Sequence, residues 1–298
     1  MTIQSGTFAA DNLYLPRPLV DAAVQAALVE DLGRAGDITT LATIPDAANA
    51  QAVIAARHKG IISGLPVAER AFKLIGDRRG EELHFEPVVE DGVSVQQGDV
   101  IARIAGPARL LLSAERVALN YMGRMSGVAT ATRTFVDLIE GTGAKVTCTR
   151  KTTPGLRAFE KYAVRCGGGS NHRFGLDDAV LIKDNHIAVT GSVAGAIRQA
   201  RDFVGHLVKV EVEVDTLEQL AEALTASPDV VLLDNMGPDK LREAVAMLEG
   251  SGVIAEASGG ITPDSVRSIA ETGIDYISTG FVTHSSPVFD LGLDINVS

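Results

Sequence analysis

The spacing of hydrophobic residues changes near Gly141. Beyond it, short hydrophobic runs alternate with segments whose apolar residues recur at helical spacing, which predicts strands alternating with helices. Six strands are predicted, at 145–149, 179–182, 208–212, 230–233, 253–257 and 274–278. Helices are predicted at 193–203, 217–224, 239–248 and 263–271. Serial strand–helix units form a parallel sheet, and this pattern alone allows a doubly wound sheet or a barrel.

The chain before Gly141 has a less regular pattern. Residues 1–18 form a polar lead-in, and a helix is predicted over 19–32 because its apolar residues share one face. A turn follows at 36–40, in which we interpret Asp37, Thr39 and Thr40 as capping and turn-bonding groups. Short strands between 51 and 100 then flank a helix near 67–75.

A long helical run begins near Ser113, which we interpret as its N-cap. Gly127 is expected to break or bend this run into two helices. Arg116 and Arg124 lie on it, and their spacing alone favours solvated side chains.

Composition narrows the class of protein. The 298 residues are 46% hydrophobic and 22% charged, which suits a globular core. The net charge of −11 argues against nucleic acid as the main partner. Two cysteines, Cys148 and Cys166, are too few for a disulfide framework. No apolar run reaches the length of a membrane span and no signal peptide is recognised, so we expect a cytoplasmic protein.

The segment 149–186 is a basic island in this acidic chain, with seven Lys or Arg against four Asp or Glu. Local positive charge of this kind predicts a pocket for an anionic ligand. Arg150, His172 and Arg173 could donate to carboxylates, because guanidinium groups match them bidentately. Lys183 could be a point cation or, if desolvated, a Schiff-base nucleophile. The stripe of Arg157, Lys161 and Arg165 is interpreted as a solvated or partner-binding face.

Residues of chemical interest follow every predicted strand. Since the carboxyl ends of barrel strands meet at one mouth, these residues are expected to share a rim. They are Thr149, Arg150, Lys151, Lys183, Asp184, Glu213, Asp234, Asn235, Glu256, Ala257, Ser258, Gly259, Gly260, Ser278, Thr279, Gly280 and Phe281.

The last two of these loops, 258–260 and 279–281, contain glycines that let a backbone approach an anion closely. Their position after the last two strands is where barrels characteristically bind phosphate. Glu213 and Asp234 could hold Mg²⁺ near such a phosphate, act as an acid–base pair, or serve as helix caps and ion-pair partners.

Several motifs together resemble the quinolinate phosphoribosyltransferases. The segment 149–186 carries the resemblance with EVEVD, LLDNM, EASGGIT and DYISTG, and EDLGRAGDITT and ERVALNYM extend it towards the N-terminus. The resemblance implies an α/β protein with an N-terminal α/β sandwich over 1–115, against which 285–298 packs. It also implies an incomplete β/α barrel of about seven strands over 116–284, the seventh lying near 169–174.

The same resemblance implies the reaction and its residues. Quinolinate and phosphoribosyl pyrophosphate would react with Mg²⁺ and no organic cofactor, in a homodimer or higher oligomer with shared sites. Arg150, Arg173 and Lys183 would bind the quinolinate carboxylates, with His172 beside them and Arg116 supplied by the other subunit. Lys151 would contact the phosphoribosyl donor, and Glu213 and Asp234 would serve the ribose and the Mg²⁺–pyrophosphate. The phosphate would lie on Ser258, Gly259, Gly260, Thr279 and Gly280, whereas Phe281 departs from the small residue that is usual there.

Three alternatives to this function stay open from the sequence. A relative of the same fold could act on another pyridine or aromatic acid. A Schiff-base lyase could use Lys183 as its nucleophile. A ligand-sensing module could bind quinolinate without releasing CO₂.

Overall fold

A computed structural model of the chain describes residues 14–296; the predicted lead-in over 1–18 lies mostly outside them. The helices of this part are α1 (Arg17–Leu32), α2 (Ile38–Thr43), α3 (Leu65–Asp77), α4 (Ala108–Leu138), α5 (Arg157–Cys166), α6 (Asp184–Thr190), α7 (Val193–Phe203), α8 (Leu217–Leu224), α9 (Pro238–Leu248), α10 (Pro263–Ala270) and α11 (Phe281–His284). Its strands are β1 (Asn49–Ala56), β2 (Gly60–Ile61), β3 (His84–Pro87), β4 (Ser94–Val95), β5 (Val100–Pro107), β6 (Lys145–Thr147), β7 (Val180–Ile182), β8 (Val210–Val214), β9 (Val230–Asp234), β10 (Ile254–Ser258), β11 (Tyr276–Ser278) and β12 (Leu291–Asn296). No helix in these residues is long and apolar enough to span a membrane.

The described chain divides into two compact units. The first contains residues 14–131, 158–168 and 286–296, and the second contains 132–157 and 169–285. The boundary predicted between 115 and 116 falls inside α4, whose residues up to Ala131 belong to the first unit.

The first unit contains a four-stranded antiparallel sheet in the order β12-β1-β5-β3. The C-terminal strand β12 pairs along the whole of β1 from Gln51 to Ala56. Strands β2 and β4 pair with each other in a separate two-stranded antiparallel sheet. Helix α1 buries Val20, Val24 and Leu28, which confirms the predicted apolar face.

Two predictions about helix starts are corrected in this unit. The segment predicted as a turn at 36–40 leads into helix α2, whose N-cap Asp37 accepts a hydrogen bond from the Thr40 N–H at 2.9 Å. The capping role of Asp37 is therefore confirmed. Ser113 is wrong as an N-cap because α4 already begins at Ala108, directly after β5. Its hydroxyl instead donates to the Arg109 carbonyl at 2.8 Å, a bond to the preceding turn that helical serines often form.

Helix α4 continues through Gly127 without the predicted break. A Cβ at Gly127 would lie 2.0 Å from the Pro287 carbonyl oxygen, and one at Gly123 would lie 2.9 Å from the Phe289 carbonyl oxygen. These glycines therefore allow the backbone of the C-terminal segment to approach the helix closely. Gly127 is therefore required by a packing contact and does not end the helix.

The predictions of solvated cations on α4 and α5 are also corrected. Arg124 donates to the buried Glu160 carboxylate at 2.6 Å and to the Ser286 hydroxyl at 3.0 Å. Lys161 is only 3% exposed. Lys161, in the middle of the basic stripe of α5, is therefore buried, whereas Arg157 and Arg165 are partly exposed. Arg116 differs, since its side chain is 63% exposed.

The second unit contains a six-stranded parallel sheet in the order β6-β11-β10-β9-β8-β7. These are the six predicted strands, with ends that differ by up to two residues from the prediction. The first strand of the unit, β6, pairs with the last, β11, so the sheet curves into an incomplete β/α barrel. The seventh strand expected near 169–174 is reduced to one bridge between Thr147 and Ser170.

Side chains alternate between the two faces of the barrel strands. On β8, Val210, Val212 and Val214 are fully buried on the face that packs against α7 and α8. Glu211 and Glu213 occupy the opposite face, towards the barrel interior. The interior therefore receives polar side chains, which is where the candidate site lies.

Candidate active site

A cavity of about 700 Å³ opens at the carboxyl ends of the second unit's strands. This size is within the usual range for small-molecule sites. It is lined by the predicted site residues Thr149, Arg150, Lys151, His172, Arg173, Lys183, Glu213, Asp234, Ser258, Gly259, Gly260, Thr279, Gly280 and Phe281. Arg116 belongs to the first unit and is not among the described residues that line the cavity.

The loop after β6 brings Arg150 and Lys151 to the cavity. Its shape is fixed by short-range bonds, because the Lys151 N–H donates to the Thr149 hydroxyl at 3.0 Å and the Thr152 N–H donates to the Arg150 carbonyl at 3.0 Å. The Thr283 hydroxyl holds this loop from α11 by donating to the Lys151 carbonyl at 2.7 Å. The two adjacent cations are therefore mounted on a restrained backbone.

Arg150 and Arg173 form a pair of cations whose charges interact. Burial lowers the pKa of Arg173, and the neighbouring Arg150 charge lowers it further. One Arg173 Nη donates to the Ala179 carbonyl at 3.0 Å, whereas the Nε atoms of both arginines are buried without a hydrogen-bond partner in the described chain. Unsatisfied buried donors on two neighbouring guanidinium groups are what an anionic ligand would relieve.

Lys183 and Glu213 form an ion pair between the ends of β7 and β8. The Lys183 side chain is 45% exposed and the Glu213 side chain only 11%. The lysine therefore keeps its carboxylate partner while one side of it faces the cavity. The Lys183 backbone also begins α6, since its N–H donates to the His186 ring at 2.9 Å.

Asp234 is the second carboxylate of the rim. Burial raises its pKa, the Asp215 charge raises it further, and the charges of Lys183 and Lys151 oppose this rise. The Asn235 side-chain amide donates to Asp234 at 2.5 Å. A cation bound beside Asp234 would therefore favour the charged form of this carboxylate.

The loop after β10 requires its glycine. Gly259 has φ +99°, and a Cβ there would lie 2.2 Å from the Asn235 side-chain oxygen. Asn235 itself has φ +52°, a conformation that non-glycine residues rarely adopt, and its N–H donates to the Ser258 carbonyl at 2.9 Å. Strain of this kind concentrates at functional sites.

The loop after β11 is equally crowded. A Cβ at Gly280 would lie 2.9 Å from the Lys151 side chain and 2.8 Å from the His284 ring. The Thr279 hydroxyl donates to the Ile261 carbonyl at 3.1 Å, which ties the two glycine loops together. Phe281 packs its ring against Phe135 of α4, with centroids 5.6 Å apart. The large residue at this position is therefore accommodated by an aromatic contact on the helix.

Two ionisable residues at the site, Glu211 and His284, were not predicted. His284 lines the cavity together with the predicted rim residue Asn235, whereas Glu211 and the predicted rim residue Glu256 lie buried beside His172. The strand period could have identified Glu211, since it lies two residues before the predicted rim residue Glu213. His284 could have been found from its position four residues after Gly280, one helical turn away.

A β/α barrel with guanidinium groups and glycine loops at its strand ends defines a class of proteins that bind carboxylated and phosphorylated ligands at the barrel mouth. The chain belongs to the quinolinate phosphoribosyltransferase family. The family model described as the quinolinate phosphoribosyl transferase N-terminal domain matches residues 37–126, and that of the C-terminal domain matches residues 128–294.

Individual relatives agree with this family. The chain is 45% identical over 270 residues to the probable nicotinate-nucleotide pyrophosphorylase (carboxylating) of Bacillus subtilis, with 91% of each chain covered. It is 43% identical over 274 residues to the Mycobacterium leprae nicotinate-nucleotide pyrophosphorylase (carboxylating), covering 91% of this chain and 95% of that one. The solved structure of the nicotinate-nucleotide pyrophosphorylase from Francisella tularensis superimposes with a TM-score of 0.90 at 37% identity, covering 95% of this chain and 98% of that one.

Proposed function

We propose that this chain transfers the phosphoribosyl group of phosphoribosyl pyrophosphate to quinolinate and releases CO₂, yielding nicotinate mononucleotide and pyrophosphate. This makes it a pentosyltransferase of de novo NAD biosynthesis. One observation carries the proposal: paired guanidinium groups and two glycine loops line the same cavity. A dicarboxylate and a phosphorylated sugar can therefore be held side by side, as the family's reaction requires.

The cations bind the acid. Arg150 and Arg173 receive the quinolinate carboxylates, because their buried Nε donors need acceptors and their mutual repulsion is relieved by anions. Lys183 adds a third cation from the end of β7. His172 lies beside them in the cavity wall.

The opposite loops bind the donor. Ser258, Gly259 and Gly260 after β10, with Thr279 and Gly280 after β11, cradle the 5′-phosphate through backbone N–H groups and hydroxyls. Lys151 lies against Gly280 and contacts the phosphoribosyl donor. Phe281 contributes through its backbone, since its ring is occupied with Phe135.

Glu213 and Asp234 suit the Mg²⁺ that accompanies pyrophosphate. Both offer hard carboxylate oxygens to the cavity, and burial, together with the Asp215 charge, raises the pKa of Asp234, so that a bound cation would favour its charged form. Two protein carboxylates, with substrate oxygens and water completing the shell, are what Mg²⁺ sites in phosphate-transfer enzymes use. When bound, this ion would offset the negative charge that develops on the leaving pyrophosphate.

The remaining catalysis is positioning and charge complementarity. The arginines orient quinolinate so that its ring nitrogen faces the anomeric carbon, which acquires oxocarbenium character as pyrophosphate leaves. Lys151 supplies positive charge on the donor side. The cationic ring nitrogen of the nucleotide then stabilises the carbanion that remains when the adjacent carboxylate departs as CO₂. A proton from solvent adds to this carbon to give nicotinate mononucleotide, so the reaction needs no organic cofactor.

We also propose that the working enzyme is a homodimer in which Arg116 of one subunit completes the other subunit's site. The exposed position of Arg116 supports this assignment, because an arginine that binds substrate across an interface must project from its own subunit. The Schiff-base alternative has less support, since Lys183 is paired with Glu213 instead of standing as an unengaged nucleophile.

The test is direct. Purified protein is incubated with quinolinate, phosphoribosyl pyrophosphate and Mg²⁺, and nicotinate mononucleotide, pyrophosphate and CO₂ are quantified. We expect equal amounts of the three products. Nicotinate in place of quinolinate is the control, because it lacks the second carboxylate and should react poorly. Folded protein that forms no nucleotide would refute the proposal, and binding of quinolinate without CO₂ release would indicate a sensor.

A further inference from the structure

Three polar side chains lie inside the barrel beside the cavity: His172, Glu211 and Glu256. Their side chains are only 10%, 9% and 7% exposed. Glu211 and Glu256 precede Glu213 and Ser258 by two residues on their strands. Because strand side chains alternate, each glutamate shares the face of a cavity-lining residue but lies one layer deeper in the barrel. The two glutamates therefore lie one layer beneath the site, next to His172, which lines the cavity.

The hydrogen bonds of His172 define where its proton lies. Its Nδ1 accepts the N–H of Arg173 at 2.8 Å. A ring nitrogen that accepts a hydrogen bond carries no proton, so the proton of the neutral ring is on Nε2. Nε2 lies 3.1 Å from a Glu211 oxygen and 3.6 Å from a Glu256 oxygen. Glu211 is therefore the acceptor of this proton, and Glu256 lies just beyond hydrogen-bond distance.

The same imidazole restrains Arg173 at its backbone, while the Ala179 carbonyl restrains its guanidinium at 3.0 Å. The chain of contacts thus runs from Glu211 through His172 to Arg173, one of the two arginines that face the acid. The negative charge of Glu211 also favours the charged form of Arg173, opposing the pKa-lowering effects of burial and of Arg150.

Resting on the proposed assignment of Arg150 and Arg173 to quinolinate, we infer that Glu211 is a positioning residue for the acid pocket. It fixes the His172 ring in the Nε2–H form, and the ring in turn holds Arg173 beside Arg150. A Glu256 oxygen lies 3.6 Å from the same nitrogen. Burial and the charge of Glu211 raise the pKa of Glu256 to about 7, which limits the negative charge in this layer.

The hydrogen bonds argue against a metal in this cluster. A metal bound to Nε2 would require the proton on Nδ1, and Nδ1 could then not accept the Arg173 N–H. A metal would therefore cost the contact that restrains Arg173. A metal found on His172 would therefore contradict the inference independently of any result at position 211.

The first experiment compares Glu211→Met with Glu211→Gln. Methionine has a similar volume but offers no strong acceptor to Nε2–H, whereas glutamine retains one. We expect Glu211→Met to weaken quinolinate binding, measured by calorimetry without the second substrate, by about tenfold or more. Its KM for phosphoribosyl pyrophosphate should stay within about twofold of wild type. Glu211→Gln should restore most of the quinolinate affinity.

Glu243→Met is the matched control, because it makes the same substitution at an exposed position on α9. If Glu211 acted only as a distant negative charge, Glu211→Met would bind the anionic acid more tightly, and this outcome would overturn the inference. Equal losses for both substrates would overturn it too, because they would indicate general damage to the site.

The second experiment needs no variant at position 211. Nitrogen NMR of the histidine-labelled wild-type protein should show one neutral Nε2–H ring whose signals are absent in His172→Gln. An Nδ1–H tautomer, a doubly protonated ring, or a transition metal retained at this histidine after dialysis would contradict the inference. If wild-type protein forms nicotinate mononucleotide but Glu211→Met keeps full quinolinate affinity, only the inference fails. If wild-type protein neither binds nor converts quinolinate, both it and the proposed function fail.

Discussion

Single residues at the rim of the cavity carry features that a stable fold alone would not select. Asn235 holds a left-handed backbone conformation and packs its side chain against Gly259. Arg150 and Arg173 keep buried Nε donors without partners in the described chain. Each feature costs stability, and under the proposed function the two arginine donors would gain partners when an anion binds. At the scale of single residues, the site is therefore marked by unsatisfied buried donors and by an unfavourable backbone conformation.

Glu256 gives a prediction about pH and stability. The pKa of this buried carboxyl is raised from 4.5 to about 7, first by burial and then by the Glu211 charge. The folded protein therefore holds this proton more tightly than the unfolded chain, so the wild type loses stability as pH rises from about 4.5 to 7. Glu256→Gln removes the titrating group and keeps its shape.

The melting temperature of Glu256→Gln, relative to wild type, should therefore rise between pH 5 and pH 8. The gain should be about 2–4 °C for each kcal/mol of stability that the wild type loses when Glu256 ionises, measured by thermal unfolding in circular dichroism. Glu243→Gln serves as the control, since its side chain is exposed. Parallel pH profiles for wild type and Glu256→Gln would contradict the prediction.

At the scale of single elements, helix α4 and the C-terminal segment depend on glycines. Gly123 and Gly127 lie one helical turn apart and leave room for the backbone around Pro287 and Phe289. The Phe289 N–H donates to the Gly123 carbonyl at 2.9 Å, so the segment is bonded to the helix as well as packed on it. This contact leads the chain back to β12, which completes the first unit's sheet.

Gly127→Ala tests this contact. In an unconstrained helix the substitution would stabilise by about 1 kcal/mol. Here the new Cβ would lie 2.0 Å from the Pro287 carbonyl oxygen, and overpacking against an atom that cannot rotate away costs about 1–3 kcal/mol. We expect the upper end of that cost and a net loss of about 1–2 kcal/mol in the free energy of unfolding, measured with urea.

Gly205→Ala is the control, since an added Cβ there meets nothing within 4 Å. A variant at Gly127 that is more stable than wild type would show that helix propensity dominates. That result would rule out the close backbone approach as the reason for this glycine.

At the scale of the whole molecule, the proposed site needs two copies of the chain. The second unit supplies the cavity, and Arg116 of the first unit is exposed on its own protomer. In the homodimer that we propose, Arg116 and Arg150 of one composite site come from different subunits. Substituting either arginine would therefore remove a different subunit's contribution to that site. This arrangement can be tested by mixing inactive variants.

Arg116→Ala and Arg150→Ala should each lose most activity alone. In a heterodimer of the two, one site combines the intact Arg150 of one subunit with the intact Arg116 of the other. A random equal mixture should therefore recover about a quarter of wild-type activity, because half the dimers are mixed and each has one intact site. Activity is measured after co-refolding, with heterodimers verified by two affinity tags. Verified heterodimers without activity would refute the shared site.

The sequence by itself determined the barrel and most of its rim. Apolar periodicity located all six parallel strands, because a buried strand must alternate or run hydrophobic whatever surrounds it. The polar residues after these strands line one cavity, because parallel strands bring their carboxyl ends to one edge. Motif resemblance supplied the family, which the family models confirm.

Only the tertiary structure decided matters that depend on residues distant in sequence. Gly127 could not be identified as a packing site from α4 alone, because the atom that requires it belongs to Pro287. Arg124 and Lys161 carry the same charge as solvated cations and differ only in what covers them. Glu211 resembles an ordinary polar position of a strand until the fold brings His172 within 3.1 Å of its carboxylate. Local pattern encodes secondary structure and strand ends, whereas burial and partnership arise only when the chain is folded.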